Sequence, residues 1–188
     1  MKRVKTASMV MAVMALTAIS SFSSNGQAQA RGGFARGANG AVGGFARQGK
    51  YGNSAGGRAV RYGSGGAGFR AGSFAGPNGG TFQGANAGVY KKGVGGARAS
   101  GFNSQGPNGG SASGYSNNVY NAQTGTGTRN SGKDFNTASG QSYGYDGSTS
   151  YTKGSGATST IDTQNKGDYT VDWQKGEKPV VTPLPVTP

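Results

Sequence analysis

Glycine fills 39 of the 188 positions, and all but one of these lie beyond residue 30. Glycine loses more backbone freedom on ordering than any other residue. Folding must offset roughly 1–2 kcal/mol of backbone entropy per residue. The opposing resource is thin. From Arg31 to Pro188, Val, Ile, Leu and Phe supply 18 of 158 residues, below the ~20% under which a charged chain is expected to stay disordered. A packed core over the whole length is therefore not expected. The chain has no cysteine, so disulfides cannot make up the difference.

Residues 1–30 read as a secretory signal peptide. Lys2, Arg3 and Lys5 form a positive start, Met9 to Ile19 a short apolar segment, and Ala28-Gln29-Ala30 a small-x-small cleavage signal. The apolar run is shorter than the roughly 20 residues that a membrane helix needs. The expected product is an exported chain with no integral membrane span after processing. Its expected address is extracellular or on the cell surface, with the periplasm as the alternative.

Catalysis is not expected. The chain has neither histidine nor cysteine, which removes the commonest general base, the commonest metal ligand and the usual assisted nucleophiles. Nothing suggests a cofactor, a metal or a small-molecule substrate. Gly63 to Gly68 fits GxGxxG, yet no apolar strand precedes it. Gly44 to Lys50 fits GxxxxGK, but Tyr51 stands where the magnesium-binding hydroxyl belongs. Both are chance products of the glycine content.

Charge divides the exported part. Arg31 to Ser100 holds ten basic residues and no acid, whereas Gly101 to Pro188 is neutral. Residues 31–75 read as a disordered cationic arm, with loose repeats at Gly33-Phe34-Ala35-Arg36-Gly37, Gly44-Phe45-Ala46-Arg47 and Gly68-Phe69-Arg70-Ala71-Gly72. Arg31, Arg36, Arg47, Lys50, Arg58, Arg61 and Arg70 are the candidate anion-binding residues. Arg31-Gly32-Gly33-Phe34 resembles an RGG box, where arginine meets phosphate and aromatics meet bases. Export turns that chemistry toward extracellular DNA, acidic polysaccharide or lipopolysaccharide.

Residues 76–175 read as a β-hairpin repeat region. Gly76-Pro77-Asn78-Gly79-Gly80 recurs at 106–110, with Val89-Tyr90 and Val119-Tyr120 in equivalent places. Pro presets φ in such a turn, and Asn or Gly accepts positive φ at the next position. Tyr120 to Gly125 reads as a type I turn closed by a left-handed glycine. Asp146-Gly147 suggests a two-residue hairpin. The strongest hairpin runs from Thr158 to Trp173, turning at Asn165-Lys166-Gly167. Tyr169, Val171 and Trp173 share one of its faces, and with Ile161 they are the candidate structural residues. Residues 176–188 form a Pro-rich tail suited to polyproline II or an edge-like strand.

On the GPNGG pair and on Tyr120-Asn121 with Thr124-Gly125, the chain resembles the Gly-rich, turn-repeat exported proteins of Gram-negative bacteria. The resemblance implies a cell-surface or matrix role and no active site. The expected fold is a largely disordered Gly-rich chain with a small all-β region toward the C-terminus. The expected function is a non-enzymatic structural protein of the cell surface or biofilm matrix. Its arm would hold anionic polymers, and its β-segments would self-associate. The alternatives are a periplasmic binding module for a protein or glycan and a cationic antimicrobial factor.

Overall fold

A computed structural model describes residues 29–185. It corrects the expected fold class: the chain is one twelve-stranded antiparallel sheet, and the strands begin well before residue 76. The first six strands are β1 (Gln29–Gly37), β2 (Gly40–Gly49), β3 (Gly52–Arg61), β4 (Gly65–Ala75), β5 (Thr81–Lys91) and β6 (Gly95–Gln105). The second six are β7 (Ser111–Asn121), β8 (Thr126–Asn136), β9 (Ser142–Thr152), β10 (Gly156–Thr163), β11 (Tyr169–Gln174) and β12 (Val180–Pro183). Their order in the sheet is their order in the chain. Residues 31–75, expected as a disordered arm, are β1–β4 and their turns. The leader reading concerns residues 1–30, of which 1–28 lie outside the described residues.

The sheet is a single open layer. Each strand pairs through its backbone only with its sequence neighbours, and β1 does not meet β12. The one buried hydrophobic residue among those described is Ala71, at 2% exposure. Composition thus excluded a core correctly, but order does not require one here. Long ladders satisfy the backbone strand by strand, and cross-strand side-chain pairs of about 0.2–1 kcal/mol each supply the rest.

Glycine is accommodated because rings from adjoining strands lie over it. Phe34 covers Gly43, Phe45 covers Gly56, Phe69 covers Gly57 and Phe102 covers Gly114. A Cβ at Gly56 would come within 2.6 Å of the Phe45 ring, and one at Gly114 within 2.6 Å of Phe102. Glycine in a strand ordinarily weakens it by leaving nothing to pack. Here the neighbour's aromatic fills the gap, the pairing known as aromatic rescue. Composition alone could not reveal this, because glycine and ring are brought together by register and not by sequence adjacency.

The turns set the strand length. At one end of the sheet, Gly79 and Gly109 take φ of +85° and +88°. Gly76 N–H donates to Gly80 O at 2.7 Å, and Gly106 N–H to Gly110 O at 2.6 Å. Pro77 and Asn78 precede the left-handed glycine, so positive φ falls to Gly79 and not to Asn78. Thr137 to Gln141 is a third copy with the same closure at 2.8 Å and Gly140 at φ +84°. Its sequence, Thr-Ala-Ser-Gly-Gln, shares only the glycine. At the opposite end, successive turns are tied together: Tyr62 N–H donates to Asn39 O, Lys92 to Ser64, Ala122 to Val94 and Lys153 to Gly125. The underlying unit is a hairpin of about thirty residues.

Several local expectations fall out differently. Asp146-Gly147 lies inside β9 and makes no turn. Gly125, by contrast, closes its turn at φ +69°. The hairpin at 158–173 is β10 and β11, with Ile161 opposite Tyr169 and Ala157 opposite Trp173. Its residues do not form a small core: Trp173 is 42% exposed. Val180 to Pro183 is the edge strand β12.

Candidate functional site

Side chains alternate between the two faces of a strand, so the register sorts every residue. One face, called here the arginine face, carries Arg36, Arg47, Arg58, Arg70, Arg98, Arg129 and Lys133. No carboxylate shares it among the described residues. The opposite face carries Asp134, Asp146, Asp162 and Asp172, and Asp168 and Glu177 lie in the connections before and after β11. A chain whose formal charge is +13 has thus placed its strand acids on one side and most of its strand arginines on the other.

Three of the cations share a single cross-strand row. Arg58 lies opposite Gly68, Gly68 opposite Gly88, Gly88 opposite Arg98, Arg98 opposite Asn118, and Asn118 opposite Arg129. At roughly 4.8 Å per strand, the steps from Arg58 to Arg98 and on to Arg129 are about 14 and 10 Å. Gly68 and Gly88 leave the floor between the first two flat.

A parallel row of rings runs one same-face step away. Tyr90, Tyr120, Tyr151 and Trp173 stand on β5, β7, β9 and β11, with Gly96, Gly127 and Ala157 between them. The Tyr120 and Tyr151 rings are 6.2 Å apart and tilted by only 4°. Tyr151 lies directly over Gly127. Tyr90 is 53% exposed. The spacing of thirty residues between Tyr90 and Tyr120, and thirty-one between Tyr120 and Tyr151, is the sequence signal for this row.

Across β1–β4 the same face dips into a hollow of about 580 Å³, lined by Phe34, Arg36, Phe45, Arg58, Tyr62 and Arg70 among others. Arg36 Nε donates to the Tyr62 hydroxyl at 3.0 Å. Arg47 sits over the Phe45 ring, 5.6 Å from its centroid. The first is a hydrogen bond to a phenol and the second a cation–aromatic contact, and both orient an exposed guanidinium without neutralising it.

The seven sequence-derived anion-binding candidates therefore separate. Arg36, Arg47, Arg58 and Arg70 gather on the arginine face. Arg31 and Arg61 point to the other face. Lys50 lies in the turn before β3, with its ammonium 5.1 Å from the Tyr51 ring centroid. Arg98, Arg129 and Lys133 complete the face but lay outside the candidate set, because they fall beyond the segment read as an arm.

The acidic face has its own chemistry. The Tyr115 hydroxyl donates to Asp146 Oδ1 at 2.6 Å, and that bond, with Asp146's charge nearby, raises the phenol's pKa. Asp162 lies opposite Asp146. Its pKa is raised by a hydrogen bond with Asp168 and by the repulsion of that second carboxylate. Nearer β1 the face carries no carboxylate among the described residues: Ala46, Ala55, Ala71 and Ala85 form one unbroken row that starts opposite Arg31, and Arg61 and Lys91 stand on the same side. No group of three or more metal-ligating side chains occurs among the described residues.

The fold and site thus define a single-layer antiparallel β-meander with one cationic, aromatic face and an opposite face that holds all the strand carboxylates, on β8 to β11, with small residues and three cations nearer β1. Comparison with protein-family models, with curated proteins and with solved structures finds no match for this chain.

Proposed function

We propose that this is an exported, non-enzymatic structural protein of the cell surface or extracellular matrix that holds extended anionic polymers against its arginine face. The observation that carries this reading is the segregation of charge. Arg58, Arg98 and Arg129 share one row, and no described carboxylate stands on that face to compete. A polymer lying across the strands meets cations at about 10–14 Å intervals and flat rings alongside them. Acidic polysaccharide, extracellular DNA and lipopolysaccharide all present the charge such a surface takes. Binding of this kind rests on counterion release and weakens steeply with salt.

The test compares two triple variants with the same change in net charge. Arg58, Arg98 and Arg129 are replaced by Gln in one; Arg31, Arg61 and Lys91, all on the opposite face, are replaced by Gln in the other. Retention on immobilised single-stranded DNA and on polygalacturonate is followed against salt. The first variant is expected to elute at distinctly lower salt with a shallower salt slope, and the second to elute nearly unchanged. Equal losses would mean that net charge alone acts, and would overturn the reading.

A further inference from the structure

The two edges of the sheet differ in the one property that governs strand addition, the supply of outward N–H groups. In an antiparallel pair, alternate residues turn both backbone groups toward the neighbour. Leu184 N–H donates to Asp168 O at 2.8 Å, so Leu184, Thr182 and Val180 face β11. Val181, Pro183 and Pro185 are then the outward positions, and Pro179 has the same parity just before the strand. Proline has no N–H to give. The β12 edge is therefore closed to a further strand, in the way natural sheets protect edges.

Among the described residues the β1 edge has no such guard. Tyr62 N–H donates to Asn39 O at 2.9 Å, which fixes the alternation in β2 and β3. Gly40, Val42, Gly44 and Ala46 then face β1, where Gly37, Ala35, Gly33 and Arg31 meet them. Gly32, Phe34 and Arg36 are left pointing outward, their N–H and C=O groups without a backbone partner among the described residues. Phe34 is 71% exposed, the most of any large hydrophobic residue among those described. Arg36, the charge that could repel a partner, is turned back over the sheet to Tyr62.

From this asymmetry we infer that two copies of the chain pair through β1, antiparallel about a two-fold axis at Phe34, and that assembly stops there. The occupant is a second copy because the edge is self-complementary. The axis sets Phe34 opposite its own counterpart, Arg36 opposite Gly32 and Arg31 opposite Gly37, so no like charges face each other. A head-to-tail joint of β1 on β12 would propagate without limit, but the prolines remove the donors it needs. The product is a closed pair of sheets and not a fibre.

Sedimentation velocity on the chain as purified from the cells that make it is the test. The expected species has twice the chain mass. Phe34→Pro, which copies the β12 guard onto β1, is expected to give monomer with an unchanged far-ultraviolet circular dichroism spectrum. Phe34→Cys, the only cysteine in such a chain, is expected to form a disulfide-linked dimer on mild oxidation, since directly opposite residues lie about 5.5 Å apart. Replacing Pro179, Pro183 and Pro185 together by Thr is expected to convert dimers into larger assemblies. Monomer at every concentration, fibres from the unaltered chain, or a dimer that survives Phe34→Pro would each overturn the inference. If Phe34→Pro loses its β-spectrum, failure of Phe34→Cys to cross-link overturns it instead.

Discussion

Tyr115 on β7 reaches over a whole strand to hydrogen-bond Asp146 on β9, at 2.6 Å from hydroxyl to Oδ1. Gly132 of β8 lies between them, opposite both. A Cβ at Gly132 would meet the Asp146 carboxylate and come within 2.7 Å of the Tyr115 ring. Glycine is there because a three-strand bridge passes over it.

Replacing Gly132 by Val should therefore destabilise the sheet more than Tyr115→Phe does. Loss of the hydroxyl alone costs about 1 kcal/mol for a bond so open to solvent. Valine removes the bond and displaces the ring as well. Thermal melts of the two variants check the order. Equal melting temperatures would mean that the bridge is not formed.

The same logic holds on the arginine face, where Tyr151 lies over Gly127 and stacks beside Tyr120. Gly127→Val should lower the melting temperature and dislodge both rings, whereas Ala157→Val in the same row should be mild, since that position already holds a Cβ. Near-ultraviolet circular dichroism reads the tyrosine environment. An unchanged spectrum in Gly127→Val would contradict the stack.

Asp162 and Asp168 supply a pH dependence whose sign is fixed. Asp162 has its pKa raised by the hydrogen bond with Asp168 and by its charge. Between the ordinary carboxylate pKa and the raised one, the folded chain binds more protons than the unfolded chain. Stability from this pair is thus full below that window and falls as pH rises through it. Carboxyl chemical shifts followed by NMR should show Asp162 titrating above the usual range, and Asp168→Asn should bring it back. A normal Asp162 titration would remove this pH dependence.

Part of this was legible in sequence. The hairpin of β10 and β11 announces itself because Tyr169, Val171 and Trp173 alternate with Thr170 and Asp172 within one strand. The GPNGG turns are equally plain, since Pro77 and Gly79 carry their conformations with them. The strands of residues 31–75 are not, because alternation there is between ring and glycine on different strands: Phe45 with Gly56, Phe69 with Gly57. The turn at 137–141 hides for a related reason. Thr137 closes it with its hydroxyl, which donates to Gln141 O and accepts from Gln141 N–H, so nothing but Gly140 repeats. Asp146-Gly147 misleads in the opposite sense, as a turn-favouring pair held in mid-strand by partners on β8 and β10. The arginine row could not be read at all until register placed Arg58, Arg98 and Arg129 side by side.

A chain almost without a core is ordered from β1 to β12 as one layer. Amide hydrogen exchange over residues 31–75 is the decisive measurement of that order. The inward N–H groups of β2, β3 and β4 are expected to be protected to a degree comparable with those of β10. Exchange at unfolded-chain rates throughout 31–75, with protection confined to Thr158–Trp173, would contradict it.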